Sequence, residues 1–274
     1  RNVRAAGLIA MKLDDGDRLI GVATCREGDD VLLATRAGRC IRFQLTDDVV
    51  RVFAGRDSSG VRGIKLQGRD EVINLSVLRH IDASPAEREA YIKLANARRR
   101  GTAEDEPEPV QAADTEEIEG EVNLTAERIA EMEAAEEMLL TVTDMGFGKR
   151  SSAYEYRVTG RGGQGIVNIT LAPRNGKSVV ATFPVREGDD VMLVTDIGRL
   201  IRVPADQVRI TGRQAMGVTL FRVDAGEHVT SVFPVIEEES DDTESPGEPL
   251  NPGDGPMSDP SSDEAGTEDG NDEG

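Results

Sequence analysis

Apolar runs of four to seven residues, rich in Val, Ile and Leu, punctuate this chain and are separated by Gly- and Asp-containing breaks. That pattern predicts short β-strands joined by tight turns, with Asp-Gly, Gly-Asp-Asp and Asn-Gly marking the connections. Three stretches align with one another: 31–42, 139–150 and 191–202. Each carries an apolar run, a Thr, a turn Gly and an Arg four residues after that Gly: Arg42, Arg150 and Arg202. The second halves align as well. Gly55-Arg56, Gly160-Arg161 and Gly212-Arg213 each stand five residues ahead of another Gly, namely Gly60, Gly165 and Gly217. Each later Gly is expected to open a strand, over 61–66, 166–171 and 218–223.

The repeats fix the expected architecture. Gly7 to Leu13 reads like Gly60 to Leu66, so the chain opens on the second half of a further copy. Gly7 to Gly60 is 53 residues and Gly165 to Gly217 is 52, whereas Gly60 to Gly165 is 105, one period plus an insertion. A period near 52 with about four strands per unit means blades and not a helical solenoid. The expectation is an all-β array of four-stranded blades in four parts. A half blade and a full blade occupy 1–78, an insertion 79–137, two blades 138–236 and a tail 237–274. The opening Arg1-Asn2-Val3-Arg4 has no apolar leader and reads as an interior piece of something longer.

Within the insertion, 84–101 reads as a helix. Ser84 and Glu87 form a capping box, Pro85 takes the first helical position, and Gly101 ends it after Arg98, Arg99 and Arg100. Those arginines match the helix dipole, which is the plainer reading beside contact with a phosphate. Residues 102–122 are acidic and Pro-containing and are expected to stay disordered, Thr125 caps a second helix over 126–138, and the tail lacks the apolar content to fold. Tyr154 and Tyr156 alternate as in a strand, and Cys25 and Cys40 read as buried strand residues. The Asp pairs 14–15, 29–30, 47–48 and 189–190 read as turn residues.

Charge changes the picture. The formal net charge is −20, yet 237–274 holds 15 acidic residues and no basic one, and 79–137 holds 17 against 7. The rest carries 25 basic and 20 acidic residues, a mildly basic body with two acidic appendages. This asymmetry fits a polyanion partner. The tail is expected either to compete with that partner or to act as a solubilising segment. No apolar run is long enough for a membrane helix, and two unpatterned cysteines fit a reducing cytoplasm. Two histidines, His80 and His228, leave little for metal or acid–base chemistry. No catalytic and no metal site is expected.

The candidate chemistry is phosphate binding. Arg161-Gly162-Gly163-Gln164-Gly165 combines a cation with glycines that let the backbone approach closely. Cations recur at matching repeat positions: Arg39 and Arg199, with Lys149 in the same region, Arg42, Arg150 and Arg202 after the Gly, and Arg56, Arg161 and Arg213 at the second turn. Arg62 and Lys65 lie within the strand expected over 61–66. Such recurrence predicts a shared rim suited to a phosphate backbone, and few aromatics argue against base stacking.

The stretches 60–66 (GVRGIKL), 146–150 (GFGKR), 174–177 (RNGK), 194–202 (VTDIGRLIR) and 212–218 (GRQAMGV) resemble the C-terminal domain of the DNA gyrase A protein. The resemblance covers 1–78 and 138–236. It implies a β-pinwheel whose blades exchange strands, and wrapping of double-stranded DNA around a basic outer edge that directs negative supercoiling. It also implies a B-subunit partner in an A2B2 assembly, with ATP and Mg2+ used through that partner and no cofactor in this chain. A nucleoid-associated cytoplasmic location follows. The family's box Gln-Arg-Arg-Gly-Gly-Lys-Gly is not present here. The echo over 159–165 has Gln164 where the box has Lys, and no residue inherits the family's catalytic Tyr. The insertion has no counterpart in the common pattern. The rivals are a propeller-type protein-interaction platform and the C-terminal domain of the A-type protein of topoisomerase IV.

Overall fold

The computed structural model describes residues 7–53, 55–102 and 122–235. The tail 237–274 and the acidic stretch 103–121 lie outside the described residues, as do the expectations placed on them. Eleven strands and two helices occur among the described residues. The first sheet comprises β1 (Asp30–Thr35), β2 (Arg39–Gln44), β3 (Val72–Leu78) and β6 (Ile166–Val167), in the order β3-β1-β2-β6. The second comprises β4 (Met138–Thr143), β5 (Phe147–Ser152), β7 (Val179–Val185) and β10 (Val218–Thr219), in the order β10-β5-β4-β7. The third comprises β8 (Asp190–Thr195), β9 (Leu200–Pro204) and β11 (Val229–Val235), in the order β11-β8-β9.

All three sheets are antiparallel and share one register. Asp30, Met138 and Asp190 pair with Gln44, Ser152 and Pro204 across the hairpin, and with Leu78, Val185 and Val235 on the other side. The turn glycines Gly38, Gly146 and Gly198 have φ of 79°, 71° and 83°, the left-handed region that glycine enters without a Cβ penalty. Core side chains follow the pattern of apolar runs: Leu140, Val142, Val191, Leu193 and Val229 pack the second blade against the third. Leu32, Cys40, Leu78, Leu139, Tyr156 and Ile166 fill the space between the first and second.

The fourth strand of a blade comes from the next repeat. Ile166 pairs with Cys40 and Val218 with Gly148, each strand only two residues long. This corrects three expectations. The strands after Gly165 and Gly217 do not extend to 171 and 223, because only two residues meet an acceptor edge. Residues 61–66 form no strand: among the described residues their backbone pairs with the loop 161–164 and with no blade strand. The third sheet has three strands and not four, because no donor faces β9 among the described residues. The seam is tight. A Cβ on Gly165, at φ 69°, would overlap the Cys40 carbonyl. We expect Gly165→Ala to cost at least ~1–2 kcal/mol from the left-handed backbone alone. Denaturant unfolding checks this, and a loss below ~0.5 kcal/mol would mean the donated strand tolerates a shift.

The insertion forms α1 (Pro85–Thr102) and α2 (Ala126–Ala135). The capping box is present in both directions, Ser84 N–H to Glu87 Oε2 at 2.8 Å and Glu87 N–H to Ser84 Oγ at 3.2 Å. Thr125 caps α2 by accepting from the Arg128 N–H. That helix ends at Ala135 and not at 138, because Met138 is already committed to β4. Tyr154 and Tyr156 are not strand residues. Tyr154 lies in the 3-10 turn Ala153–Glu155, Tyr156 caps it, and both are buried. Cys40 is buried as expected, whereas Cys25 is exposed.

Candidate nucleic-acid interface

The candidate surface is built where the loop of one repeat lies along the loop of the next. The Gly162 N–H donates to Gly63 O at 2.5 Å and the Lys65 N–H to Gly163 O at 2.8 Å. Gln67 Nε2 donates to Gln164 Oε1 at 2.9 Å. Arg161 closes the pairing from above, with Nε on Val49 O and Nη1 on Arg62 O at 3.3 Å. Arg62, Lys65 and Arg161 therefore stand together with exposed side chains, although 99 residues separate Arg161 from Arg62. Beside them a cleft of about 200 Å³ opens between β2 and 157–166, lined by Arg42, Arg157, Thr159, Gly163 and Gln164.

The other expected cations divide by burial. Arg56 is exposed in the loop after Gly55. Arg39 is half-buried and donates to the Gln164 and Gly165 carbonyls at 2.9 and 2.8 Å, holding the donated strand in place. Arg199 stacks 4.5 Å over the Phe221 ring and pairs with Asp224 and Glu227 at 3.0 and 2.8 Å. Arg213 donates through its N–H to Glu155 and through its guanidinium to the Glu155 and Val167 carbonyls. Arg202 is half exposed and pairs with Asp190.

Arg42, Lys149 and Arg150 do not belong on a solvent-facing rim. Arg42 is 2 % exposed and Lys149 0 %. Arg42 pairs with Asp30 at 2.6 Å and crosses the seam to Ala153 O at 2.7 Å. Arg150 reaches Val208 O and Asp206 O at 2.8 Å each in the following repeat. Their backbones form matching parallel bridges, Arg42 to Val158 and Arg150 to Ile210. The recurring Arg is thus a link between successive blades, since a guanidinium supplies several donors to the carbonyls that the seam would otherwise leave unpaired.

Lys149 Nζ donates to Ser151 Oγ at 2.9 Å, Gly212 O at 3.3 Å and Arg213 O. Burial pushes its pKa down to about 7, against the opposing pull of Glu155 and Cys40. The same burial pushes the Cys40 thiol up to about 12 and raises Glu155. Lys149 therefore positions the Gly212–Arg213 turn from inside. The arginines of α1 are also structural: Arg98 pairs with Glu133 at 3.5 Å and Arg99 with Glu136 at 3.1 Å. His80 lies at the root of the insertion on Asp30, and exposed His228 lies on Asp196.

Some exposed cations lie outside the set expected from the sequence, and two of them recur at matching positions. Arg157 lines the cleft and Arg209 is its counterpart one repeat later. Both stand three residues before the Gly-Arg pair, a recurrence at 52 residues that was available in the sequence. Among the described residues no group of three or more His, Cys, Asp or Glu is arranged to hold a metal, and no helix is long and apolar enough to cross a membrane.

A family model described as the DNA gyrase C-terminal domain, β-propeller, matches residues 1–26, 29–79, 137–186 and 189–236. The DNA gyrase A protein of Granulibacter bethesdensis is 70 % identical over 246 residues, covering 88 % of this chain and 26 % of that protein. That of Rickettsia bellii is 45 % identical over 251 residues, covering 90 % and 26 %, and that of Salmonella typhimurium 33 % over 239 residues, covering 87 % and 20 %. The chain spans about a quarter of the length of the first two relatives. Among solved structures, a DNA gyrase A C-terminal domain superposes with a TM-score of 0.56 at 22 % identity, covering 84 % of this chain and 59 % of that one. A topoisomerase IV C-terminal domain superposes with 0.58 at 15 % identity, covering 84 % and 53 %. These two share the fold with this chain.

Proposed function

Since the chain belongs to the family of DNA gyrase C-terminal domains, we propose that it binds duplex DNA through the exposed cations Arg56, Arg62, Lys65, Arg157, Arg161 and Arg209, which form one outer edge. It bends the duplex around that edge, and within the whole protein this wrapping gives strand passage its negative-supercoiling direction. The observation that carries the reading is the meeting of Arg62, Lys65 and Arg161 on one exposed pairing of two repeats. These cations neutralise phosphates and read no bases, so the binding is indifferent to sequence and steep in salt. Bending costs roughly 1–6 kcal/mol for each 20–30 bp turned through 40–90°, so contacts on several blades have to act together.

In this proposal the whole protein is the A component of a type II topoisomerase and works with a B subunit in an A2B2 assembly, in the cytoplasm on the nucleoid. ATP and Mg2+ chemistry belongs to the B subunit, whereas this chain contributes DNA path and not catalysis. Topoisomerase IV is the weaker reading, because the relatives of 70 % and 45 % identity are gyrase A proteins.

The test is a salt titration of duplex binding by the chain and by the triple variant Arg62→Gln, Lys65→Gln, Arg161→Gln. Removing three phosphate contacts should flatten the slope of log K against log salt by about 2.7 and weaken binding on every sequence alike. An unchanged slope would take these side chains off the DNA path.

A further inference from the structure

The four-residue turn that leads into a blade is seen bare twice. In 26–29 the Arg26 N–H donates to Asp29 Oδ2, and in 186–189 the Arg186 N–H donates to Asp189 Oδ2, each at 2.7 Å. At the third such junction the Arg79 N–H donates to Glu137 Oε2 at 2.8 Å, across 58 residues. The insertion is thus spliced into a standard turn whose closing hydrogen bond survives, and the family match stops at 79 and resumes at 137.

The spliced helix pair touches both neighbouring blades. Its core of Ile81, Ala83, Tyr91 and Met132 is completed by Tyr154 from the second blade. Tyr91 and Tyr154 meet edge to face at 5.3 Å and 84°, and Tyr154 Oη donates to Met132 O at 2.8 Å. Glu136 draws the two helices together by accepting from Tyr91 Oη at 3.0 Å and Arg99 at 3.1 Å. On the first blade, His80 Nδ1 lies 3.0 Å from Asp30, whose other oxygen holds Arg42. Arg42 in turn donates to the Arg79 and Ala153 carbonyls at 3.3 and 2.7 Å. The blade sequence differs at this contact: where the second repeat has Tyr154, the first and third have Thr46 and Asp206.

We propose that the helix pair formed by 80–102 and 122–136 is a brace across the seam between the first two blades, fixing the step between them and so the direction in which their cationic edges present to DNA. The DNA half of this statement rests on the function proposed above, whereas the brace itself does not. An aromatic ring buried between two bodies, with its hydroxyl satisfied, resists their relative motion at little entropic cost, because a Tyr side chain has few rotatable bonds.

The turn itself supplies the test. Replacing 80–136 by Glu-Gly rebuilds the four-residue junction, and Tyr154→Asp installs the residue of the third repeat while leaving the helix pair attached. Hydrogen exchange of the whole chain should quicken by about tenfold or more at 39–42 and 150–156 in both variants, with 191–203 unchanged. Energy transfer across a labelled duplex should report an altered bend at equal occupancy. Unchanged exchange at the seam in both variants would overturn the brace. Global unfolding of the turn variant would overturn it too, since a blade that needs the helix pair to fold is not merely braced by it. If exchange quickens and neither parent nor variant bends DNA, the brace stands and the wrapping function falls.

Discussion

Asp30→Ala is expected to destabilise the chain by about 3–5 kcal/mol, the usual cost of leaving one member of a buried ion pair uncompensated. Asp30 is fully buried and its carboxylate holds both Arg42 and His80. Without it, the Arg42 guanidinium keeps only the carbonyls of Ala153 and Arg79. Asp190 occupies the same position in the third repeat, and its partner Arg202 is 50 % exposed. Water screens that pair, so Asp190→Ala should cost no more than about 1 kcal/mol. Urea unfolding of both variants gives the comparison. Equal losses at the two sites would remove burial as the cause.

A second large effect should appear in the pH dependence of stability. Burial holds the Lys149 pKa at about 7 in the folded chain, well below its unfolded value. Between these two values the unfolded chain binds more protons, so this group makes stability rise as pH rises. The slope reaches ~1.4 kcal/mol per pH unit for one proton, and below the folded pKa the full cost of burying the ammonium is present. The groups facing Nζ are Glu155, Cys40 and Arg213, all retained in Lys149→Met. Subtracting the variant's stability curve from the parent's should therefore leave an upward slope from pH 7 to pH 10. A flat difference would mean that the ammonium keeps its proton throughout, held by Ser151 and the two carbonyls.

What could be read from the sequence was the repeat and its local signals. The 52-residue recurrence gave the strands, and Ser84 with Glu87 gave the start of α1 to the residue. Recurrence alone does not say which way a side chain faces, and that is where the cation rim went astray. Arg42 lies on a strand buried on both faces, so alternation offered no clue to its direction. Two clues were nevertheless present. Asp30 and Asp190 stand twelve residues before Arg42 and Arg202, in pairing distance across a hairpin. Lys149 takes the repeat position of Ile41 and Ile201, an apolar slot that marks the lysine as interior. The pairing of 62–67 with 161–164 was beyond reach, because it depends on how one repeat's loop lies across the next, and the sequence period carries no record of that geometry.

The borrowed fourth strand sets an order of events while the chain is being made. The edge at Cys40 is completed by Ile166, 126 residues further on, and the matching edge at Gly148 by Val218, only 70 residues further on. At a synthesis rate of about 5–20 residues per second, the first edge waits roughly 6–25 s for its partner and the second about half as long. The insertion accounts for the difference, so the added segment that joins two blades in the finished protein also nearly doubles the time for which the nascent first blade offers an open edge to other chains.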